Sequence, residues 1–456
     1  MPALTDRLPS WVLRIAGLLG LDKKVLTGLG ARIMSMAAAP VGAFLTVWTL
    51  TPEKQGLYYL FASLLALRAL FELGAGTSVI QVAAHARGDE EGRRTSPLEP
   101  AFVATVNRWM LRVATVYGLA AGLGGAAFLI YQGHGDFHTL GAWVSFITIS
   151  SLQFASEGRW GLLEGADQVA AANILRTKNA LIQYLVQWSL LLLGAGLFSF
   201  CAGALAAYLS QEIRFRKNYP WMYVPFRSQI EERLVHFKKE LLRLIKRASQ
   251  TYLTTYFVFQ IQQPICFHLL GAPSSARLGF SQTMGSAMIG LPLVWLAMNF
   301  PKLAHLIADE DVAAARRLFK ARWLQVCLFS MGCAAAAFVA TKVLAQFPRF
   351  EGRLMDDNSM LILFGAQFVQ TCALGLTYWP RAFKVEPFVI IAYVQMIATP
   401  LMLWGFLSTW GLRGGSLAIL GTWIIGGIGI ALTVRPYWKT GTMLANRQNQ
   451  APQPAE

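Results

Sequence analysis

Twelve long apolar segments follow one another along this chain, and positive charge collects in every second gap between them. The segments cover residues 26–50, 56–84, 113–131, 140–154, 180–197, 198–213, 248–270, 278–300, 323–345, 360–379, 388–407 and 414–434. A helix needs roughly 20 apolar residues to cross the hydrocarbon core of a bilayer, and most of the segments reach that length. The fourth and sixth are short and must borrow flanking polar residues. Hydrocarbon offers backbone N–H and C=O groups no partners, so the spans must be helices. The expected fold class is an all-α integral membrane protein with twelve transmembrane helices.

The charge asymmetry gives orientation. Lys and Arg gather at the N-terminus (Arg7, Arg14, Lys23, Lys24), in the second gap (Arg87, Arg93, Arg94, Arg108, Arg112), at Arg159, Arg176 and Lys178, and densely over 214–247. They recur at Lys302, Arg316, Arg317, Lys320, Arg322, Arg381 and Lys384, and in the tail at Arg435, Lys439 and Arg447. The alternate gaps hold only Lys54, Arg277, Lys342, Arg349, Arg353 and Arg413. About 32 basic residues against about 6 places both termini in the cytoplasm by the positive-inside rule. An even number of spans agrees with that.

A net charge of +16 would suggest nucleic acid in a soluble protein. With only 14 % of residues charged, it reads instead as the inside rule plus attraction to anionic lipid, and no nucleic-acid partner is expected. The five cysteines lie in or beside apolar spans without metal-ligand spacing and read as small core residues. Residues 11–21 are apolar but lack a small-x-small cleavage site and are too short to span, so the N-terminus reads as an interfacial helix. The Gln- and Pro-rich end reads as a disordered tail.

The chain repeats itself. Leu50-Thr51-Pro52 with Leu57 after the first span returns as Leu270-Gly271-Ala272-Pro273 with Leu278 after the seventh. The same offset lays the acidic exit at 87–90 on that at 308–311. Six spans per half make a parallel repeat, with a pseudo-two-fold axis along the membrane normal and a cleft between two bundles. Between the halves, Ile230, Leu234, Phe237, Leu241 and Leu244 form one helical stripe backed by Lys239, Arg243, Lys246 and Arg247, which suits the cytoplasmic leaflet. The expected organisation is an interfacial N-terminus (1–25), an N-lobe (26–213), an amphipathic linker (214–247), a C-lobe (248–438) and a tail (439–456).

Charges inside spans are expensive unless paired or hydrated, so they point to function. Arg68 and Glu72 lie four apart on one helix face of the second span. At about 1.5 Å per residue Arg68 is near the midplane, and Glu72 and Arg32 share a similar depth nearer the cytoplasm. A static pair locking two helices and a cleft-lining cation with a protonatable carboxylate both stay open. The seventh span carries Gln260, Gln262 and Gln263 before Pro264, and the eighth carries Asn299. Their amides could serve as interhelical glue or as partners for sugar hydroxyls. Pro40 and Pro264 fall inside corresponding spans, where a rocking transporter would kink.

Catalytic constellations are absent: there is no Walker loop. His134 and His138 flank Asp136 in an outer loop, but with no Cys or Glu nearby the metal reading is weak, and neither metal nor cofactor is expected.

Residues 50–58 (Leu-Thr-Pro-Glu-Lys-Gln-Gly-Leu-Tyr) resemble the first outer loop of polysaccharide flippases, which read L-G-P-x-x-x-G-x-Y. Residues 71–76 (Phe-Glu-Leu-Gly-Ala-Gly) resemble their acidic-x-G-x-G exit, and 299–304 with 309–319 their eighth-to-ninth connection. Thr51 stands where glycine is usual, and Glu72 where aspartate is common. The resemblance implies the multidrug/oligosaccharidyl-lipid/polysaccharide exporter superfamily: two six-helix lobes in a V, in the bacterial inner membrane. It implies flipping of an undecaprenyl-diphosphate-linked oligosaccharide to the periplasmic leaflet for surface polysaccharide synthesis, with H+ or Na+ as coupling ion and polymerase and export proteins as partners. The substrate-binding candidates are Arg32, Arg68, Gln260, Gln263 and Asn299, and Glu72 is the ion-coupling candidate. The alternatives are a drug or metabolite antiporter of the same superfamily and, disfavoured by short outer loops, a membrane polymerase or glycosyltransferase. No enzyme activity is expected.

Overall fold

The computed structural model describes residues 38–83, 98–223, 254, 256–309 and 311–440. The expected N-terminal interfacial helix, Arg32, the linker from 224 and the tail from 441 lie outside the described residues. The elements are α1 (Ala38–Thr49), α2 (Pro52–Leu65), α3 (Arg68–Glu72), α4 (Ala75–Ala83), α5 (Pro100–Tyr131), α6 (Phe137–Gly165), α7 (Val169–Leu192) and α8 (Phe198–Asn218). They continue with α9 (Gln262–Ala308), α10 (Val312–Leu344), α11 (Asp357–Leu376), α12 (Tyr378–Ala382) and α13 (Val389–Thr440). Among the described residues five helices are long and apolar enough to cross a membrane, or six if the pair Pro52–Glu72 and Ala75–Ala83, bent by 42°, is one span. Their outward faces carry Leu119, Leu123 and Ile130 on α5, Leu324, Leu328 and Met331 on α10, and Leu401, Ile428 and Leu432 on α13, all exposed. Hydrocarbon is the solvent that such rows suit.

Two of these helices are too long for one crossing. At about 1.5 Å per residue, the 47 residues of α9 would run about 70 Å and the 52 of α13 about 78 Å, against a core of about 30 Å. Each breaks at a glycine in a conformation that L side chains resist: Gly271 (φ 79°, ψ 176°) and Gly411 (φ 56°, ψ −141°). The chain then doubles back. Gln263 bonds Ser275 at 2.7 Å and Gln395 donates to the Thr422 carbonyl at 3.2 Å, pairs that a straight helix would hold about 18 and 40 Å apart. Each long helix is therefore a hairpin of two antiparallel arms.

Caps explain the turns. Thr51 accepts from the Lys54 N–H, and Pro52 fills the first helical position, where its missing N–H costs nothing. Asp136 caps α6 by accepting from Thr139 N–H at 2.9 Å, and this bond holds its carboxyl below the usual range. Asp136 thus has a structural task between His134 and His138. Asp356 likewise caps α11, and Asp357 pairs with Lys342.

The described residues form two compact units, one of 38–45 and 67–223, the other of 46–66 and 254–440. In the first, Gly161 and Gly165 of α6 face α4 so closely that added Cβ atoms would meet Val79 at 2.9 Å and Ala83 at 2.2 Å. Small residues four apart commonly let membrane helices approach in this way. Below them, Arg159 pairs with Glu212, and Tyr223 donates to Glu212 at 2.8 Å with the Arg159 guanidinium over its ring. Burial pushes the Tyr223 hydroxyl up to about 12, so it keeps the proton it donates.

The second unit includes residues that the sequence reading places in the N-lobe. α2 packs on α9, and a Cβ at Gly56 would lie 2.0 Å from the Ala272 carbonyl oxygen. Arg353 donates to the Leu50 carbonyl at 2.7 Å and to Gln55 Oε1 at 2.8 Å, and Arg277 donates to the Gly352 carbonyl at 2.7 Å. Hydrogen bonds to charged groups contribute about 1.5–3 kcal/mol each. The Gly56 approach and the two Arg353 bonds, which no hydropathy plot registers, fasten 46–66 to the rest of the second unit. Its core centres on Trp379, Phe319, Leu403, Leu407 and Trp423.

Gly56→Leu should lower the thermal midpoint in detergent, at a cost of about 1–3 kcal/mol of overpacking, because a backbone carbonyl cannot move aside. Gly124, with nothing within 4 Å of its added Cβ, is the control. Equal midpoints for Gly56→Leu and Gly124→Leu would refute the close approach.

Candidate functional site

Two groups of polar side chains lie among the apolar helices, one in each unit. The first is built on a broken span. Leu73 (φ 48°) and Gly74 (φ 79°) interrupt the helix between α3 and α4. A left-handed leucine costs about 1–2 kcal/mol. The Gly74 carbonyl accepts the Ser78 N–H at 3.1 Å and in addition Thr77 Oγ1 at 2.8 Å and Ser78 Oγ at 3.1 Å. Glu72, the last residue of α3, lies against Gly76 in the first turn of α4, where exposed N–H groups and the helix dipole favour an anion. Arg68, four residues earlier, places its guanidinium 3.9 Å from Glu157 on α6 and 5.6 Å from the Phe154 ring centroid. The pair is about one-third exposed, 34 % for Arg68 and 29 % for Glu157.

The composition of this group differs from the basic cleft that Arg32 and Arg68 suggest. Arg32 lies outside the described residues, and Arg68 has a carboxylate partner. Among the described residues the group holds one cation and two carboxylates. Sequence reasoning missed Glu157 because the apolar segment 140–154 ends short of it, whereas α6 continues to Gly165.

The second group belongs wholly to the second unit. Pro264 has no N–H for the carbonyl four residues back, that of Gln260. The helix breaks there, at Gln260 and Ile261, and Ser63 Oγ of α2 donates to the Gln260 carbonyl. Beyond the break, Gln262 donates to the Val258 carbonyl at 3.0 Å and accepts from Gln282. Gln263 bonds both Ser275 at 2.7 Å and Gln282 at 2.9 Å. Gln367 of α11 donates to the Gln282 carbonyl at 3.3 Å, and Gln370 lies one turn further on. These six glutamines with Tyr59, Ser63, Thr283 and Ser286 line a cavity of about 320 Å³.

Their depths agree. Pro52, Gly271 and Asp357 mark the same end of the second unit, tied together by the Gly56–Ala272 approach, Arg353, Arg277 and Lys342. From those points Ser63, Gln262, Gln263, Gln282, Gln367 and Gln370 lie about 12–20 Å along their helices. That is close to the middle of a core of about 30 Å.

Gln260 and Gln263, both expected at the site, are brought together here. Asn299 is not: its Nδ2 donates to the Trp295 carbonyl of its own helix at 2.8 Å, away from the cavity. Gln282, Gln367 and Gln370 escaped the sequence reading. Their signal was an amide inside an otherwise apolar span, the last two three apart and so on one helix face.

The comparisons follow the fold. Neither the protein-family descriptions nor the curated proteins match this sequence. Among solved structures it is similar to the lipid II flippase MurJ in an inward closed conformation, with a TM-score of 0.65 and 13 % identity, covering 90 % of this chain and 87 % of that one. An inward-facing multidrug resistance MATE family transporter of the MOP superfamily has a TM-score of 0.58 at 13 % identity, covering 91 % and 99 %. A mutant of the Vibrio cholerae MATE transporter VcmN has a TM-score of 0.52 at 13 % identity, covering 96 % and 100 %. The chain is a multi-pass α-helical membrane protein with the fold of these transporters.

Arg68 and Glu157 should be coupled. A double-mutant cycle on Arg68→Ala and Glu157→Ala, read by thermal or denaturant unfolding in detergent, should give a coupling of about 0.2–1 kcal/mol, as for partly exposed pairs. Strict additivity would show that the two groups do not interact.

Proposed function

We propose that this protein is a flippase: it carries an undecaprenyl-diphosphate-linked oligosaccharide from the cytoplasmic to the periplasmic leaflet of a bacterial inner membrane. It works by alternating access of two six-helix lobes in a V, with both termini cytoplasmic, and serves surface polysaccharide synthesis. One observation carries the reading. A cavity lined by amides and hydroxyls sits at mid-membrane depth in a fold shared with a lipid II flippase. A sugar head group crossing hydrocarbon needs polar partners at that depth, while its lipid tail stays in the bilayer. The twelve-span reading is supported by the order of the helices, with α9 and α13 each counting as two arms.

The diphosphate and the driving ion belong, in this proposal, to the first unit. Arg68 offers a fork-shaped cation for phosphate oxygens once it leaves Glu157, and Arg32 would add a second. Glu72 and Glu157, two carboxylates near one cation, suit exchange of H+ or Na+ as that cation changes partner. The same pair also favours a second reading, an antiporter for cationic drugs or metabolites, which would use the carboxylates to bind its cargo.

Reconstituted protein should move fluorescent lipid-linked oligosaccharide across vesicles, and Arg68→Ala should slow this at least tenfold while Arg68→Lys keeps part of the rate. Normal flipping by the alanine variant would remove Arg68 from the site. Transport of cationic dyes with no movement of lipid-linked glycan would establish the antiporter instead. Glu72→Gln should fold normally yet lose dependence on the ion gradient, and unchanged gradient-driven transport by that variant would end the coupling role.

A further inference from the structure

The six glutamines raise a question that the flippase reading leaves open: which part of a cargo they meet. We propose that the cavity in the second unit is a subsite for a single uncharged sugar ring, a hexose or N-acetylhexosamine, and that it discriminates against acidic and amino sugars. The inference rests on the flippase reading only for the identity of the molecule that delivers the ring.

The lining decides the charge class. Among the described residues it contains no Asp, Glu, Lys, Arg or His. A carboxylate or ammonium placed at this depth would be a buried ion without a counter-ion, and such ions are strongly disfavoured. A phosphate meets the same objection. A purely apolar occupant fails for the opposite reason, because it would strip water from amides and leave them unpaired. The group that suits the wall is one that both donates and accepts without charge. Sugar hydroxyls do this, and so does an acetamido group.

One amide is free to meet such a ligand, and a second shapes the wall beside it. Gln367, 5 % exposed, uses its Nε2 on the Gln282 carbonyl but leaves its Oε1 without a partner. That oxygen is itself buried and packs on Gly285, whose absent side chain makes room for it: a Cβ there would lie 1.6 Å away. Gln370, 6 % exposed, lines the cavity and makes no hydrogen bond through its amide among the described residues. Structural glue would pair these groups with protein, as it does Gln262, Gln263 and Gln282. Instead the paired amides and the buried Gln367 fix the wall, and the unpaired Gln370 amide lines the space. Tyr59, Phe259, Ile289 and Leu363 supply apolar surface for the carbon face of a ring. The volume of about 320 Å³ lies at the small end of ligand cavities, roughly 300–1,000 Å³, and suits one ring rather than a chain of them.

The test uses the full chain in nanodiscs free of sugar-based detergent, with methyl glucoside and methyl N-acetylglucosaminide as probes and methyl glucuronide and glucosamine as charged comparators. Binding is read by saturation-transfer NMR. The neutral glycosides should bind, and the charged ones at least tenfold more weakly. Gln370→Leu should abolish glycoside binding while leaving the fold intact, since that amide supports nothing in the protein; Gln370→Asn, with a shorter amide, should bind more weakly than wild type but still detectably. Absence of neutral glycoside binding, equal binding of charged sugars, or full binding by Gln370→Leu would each overturn the subsite. So would a cavity that takes sodium alone, seen as 23Na broadening lost in Gln370→Leu with no glycoside bound. Flipping is measured on the same samples. Flipping without glycoside binding would refute this inference and leave the flippase reading standing, whereas specific glycoside binding without flipping would do the reverse.

Discussion

Hydrocarbon provides no hydrogen-bond partner, so every backbone group in these spans must find one within the protein. Most do so by forming helix. The informative places are where helix fails. At Leu73–Gly74 the Gly74 carbonyl starts the next helix by accepting the Ser78 N–H, and the Thr77 and Ser78 hydroxyls cap it further. At Gln260, Pro264 removes the expected donor, and Ser63 from another helix supplies it. At Gly271 and Gly411 the chain turns back on itself through conformations that favour glycine. The breaks at Leu73–Gly74 and at Gln260 place polar atoms inside a bundle, and each candidate site is built beside one of them.

The two sites solve the polar problem differently. In the first unit, Arg68, Glu72 and Glu157 balance charge against charge, with a helix N-terminus beside Glu72. Such a group can exchange partners and protons. In the second unit neutral amides hold one another in a chain from Gln262 through Gln282 to Gln263 and Ser275, with Gln367 joined through the Gln282 backbone. A neutral network gains little from rearranging but presents a fixed pattern of donors and acceptors. Under the proposed function, ionic exchange and hydroxyl recognition would be complementary tasks for a carrier of glycosylated lipid.

Legibility in the sequence followed length and periodicity. The helical class, the membrane solvent and the capping of α2 by Thr51 and Pro52 could be read directly, since each depends on neighbours within a few positions. Pro264 could be read as a break for the same reason. Gln260 and Gln263 were singled out as amides in an apolar span, and the cavity gathers them. Asn299 had the same signal but satisfies its own helix, because an amide can turn to the carbonyl four residues back as readily as to a ligand. Glu157 was hidden by a helix that runs past the end of its apolar stretch.

What the sequence determined by itself was the solvent, the backbone state and the break at Pro264, because these depend on local hydropathy and on a missing N–H group; the break at Leu73–Gly74, inside the span read as 56–84, came only with the structure. What only the tertiary structure decided was partnership. It joined residues 46–66 to the second unit through Arg353, Gly56 and Ser63, gave Arg68 to Glu157, and brought glutamines more than one hundred positions apart to one cavity. Those outcomes depend on how closely one helix can approach another and on which side chain reaches a freed carbonyl first. Neither quantity is a property of any single stretch of sequence.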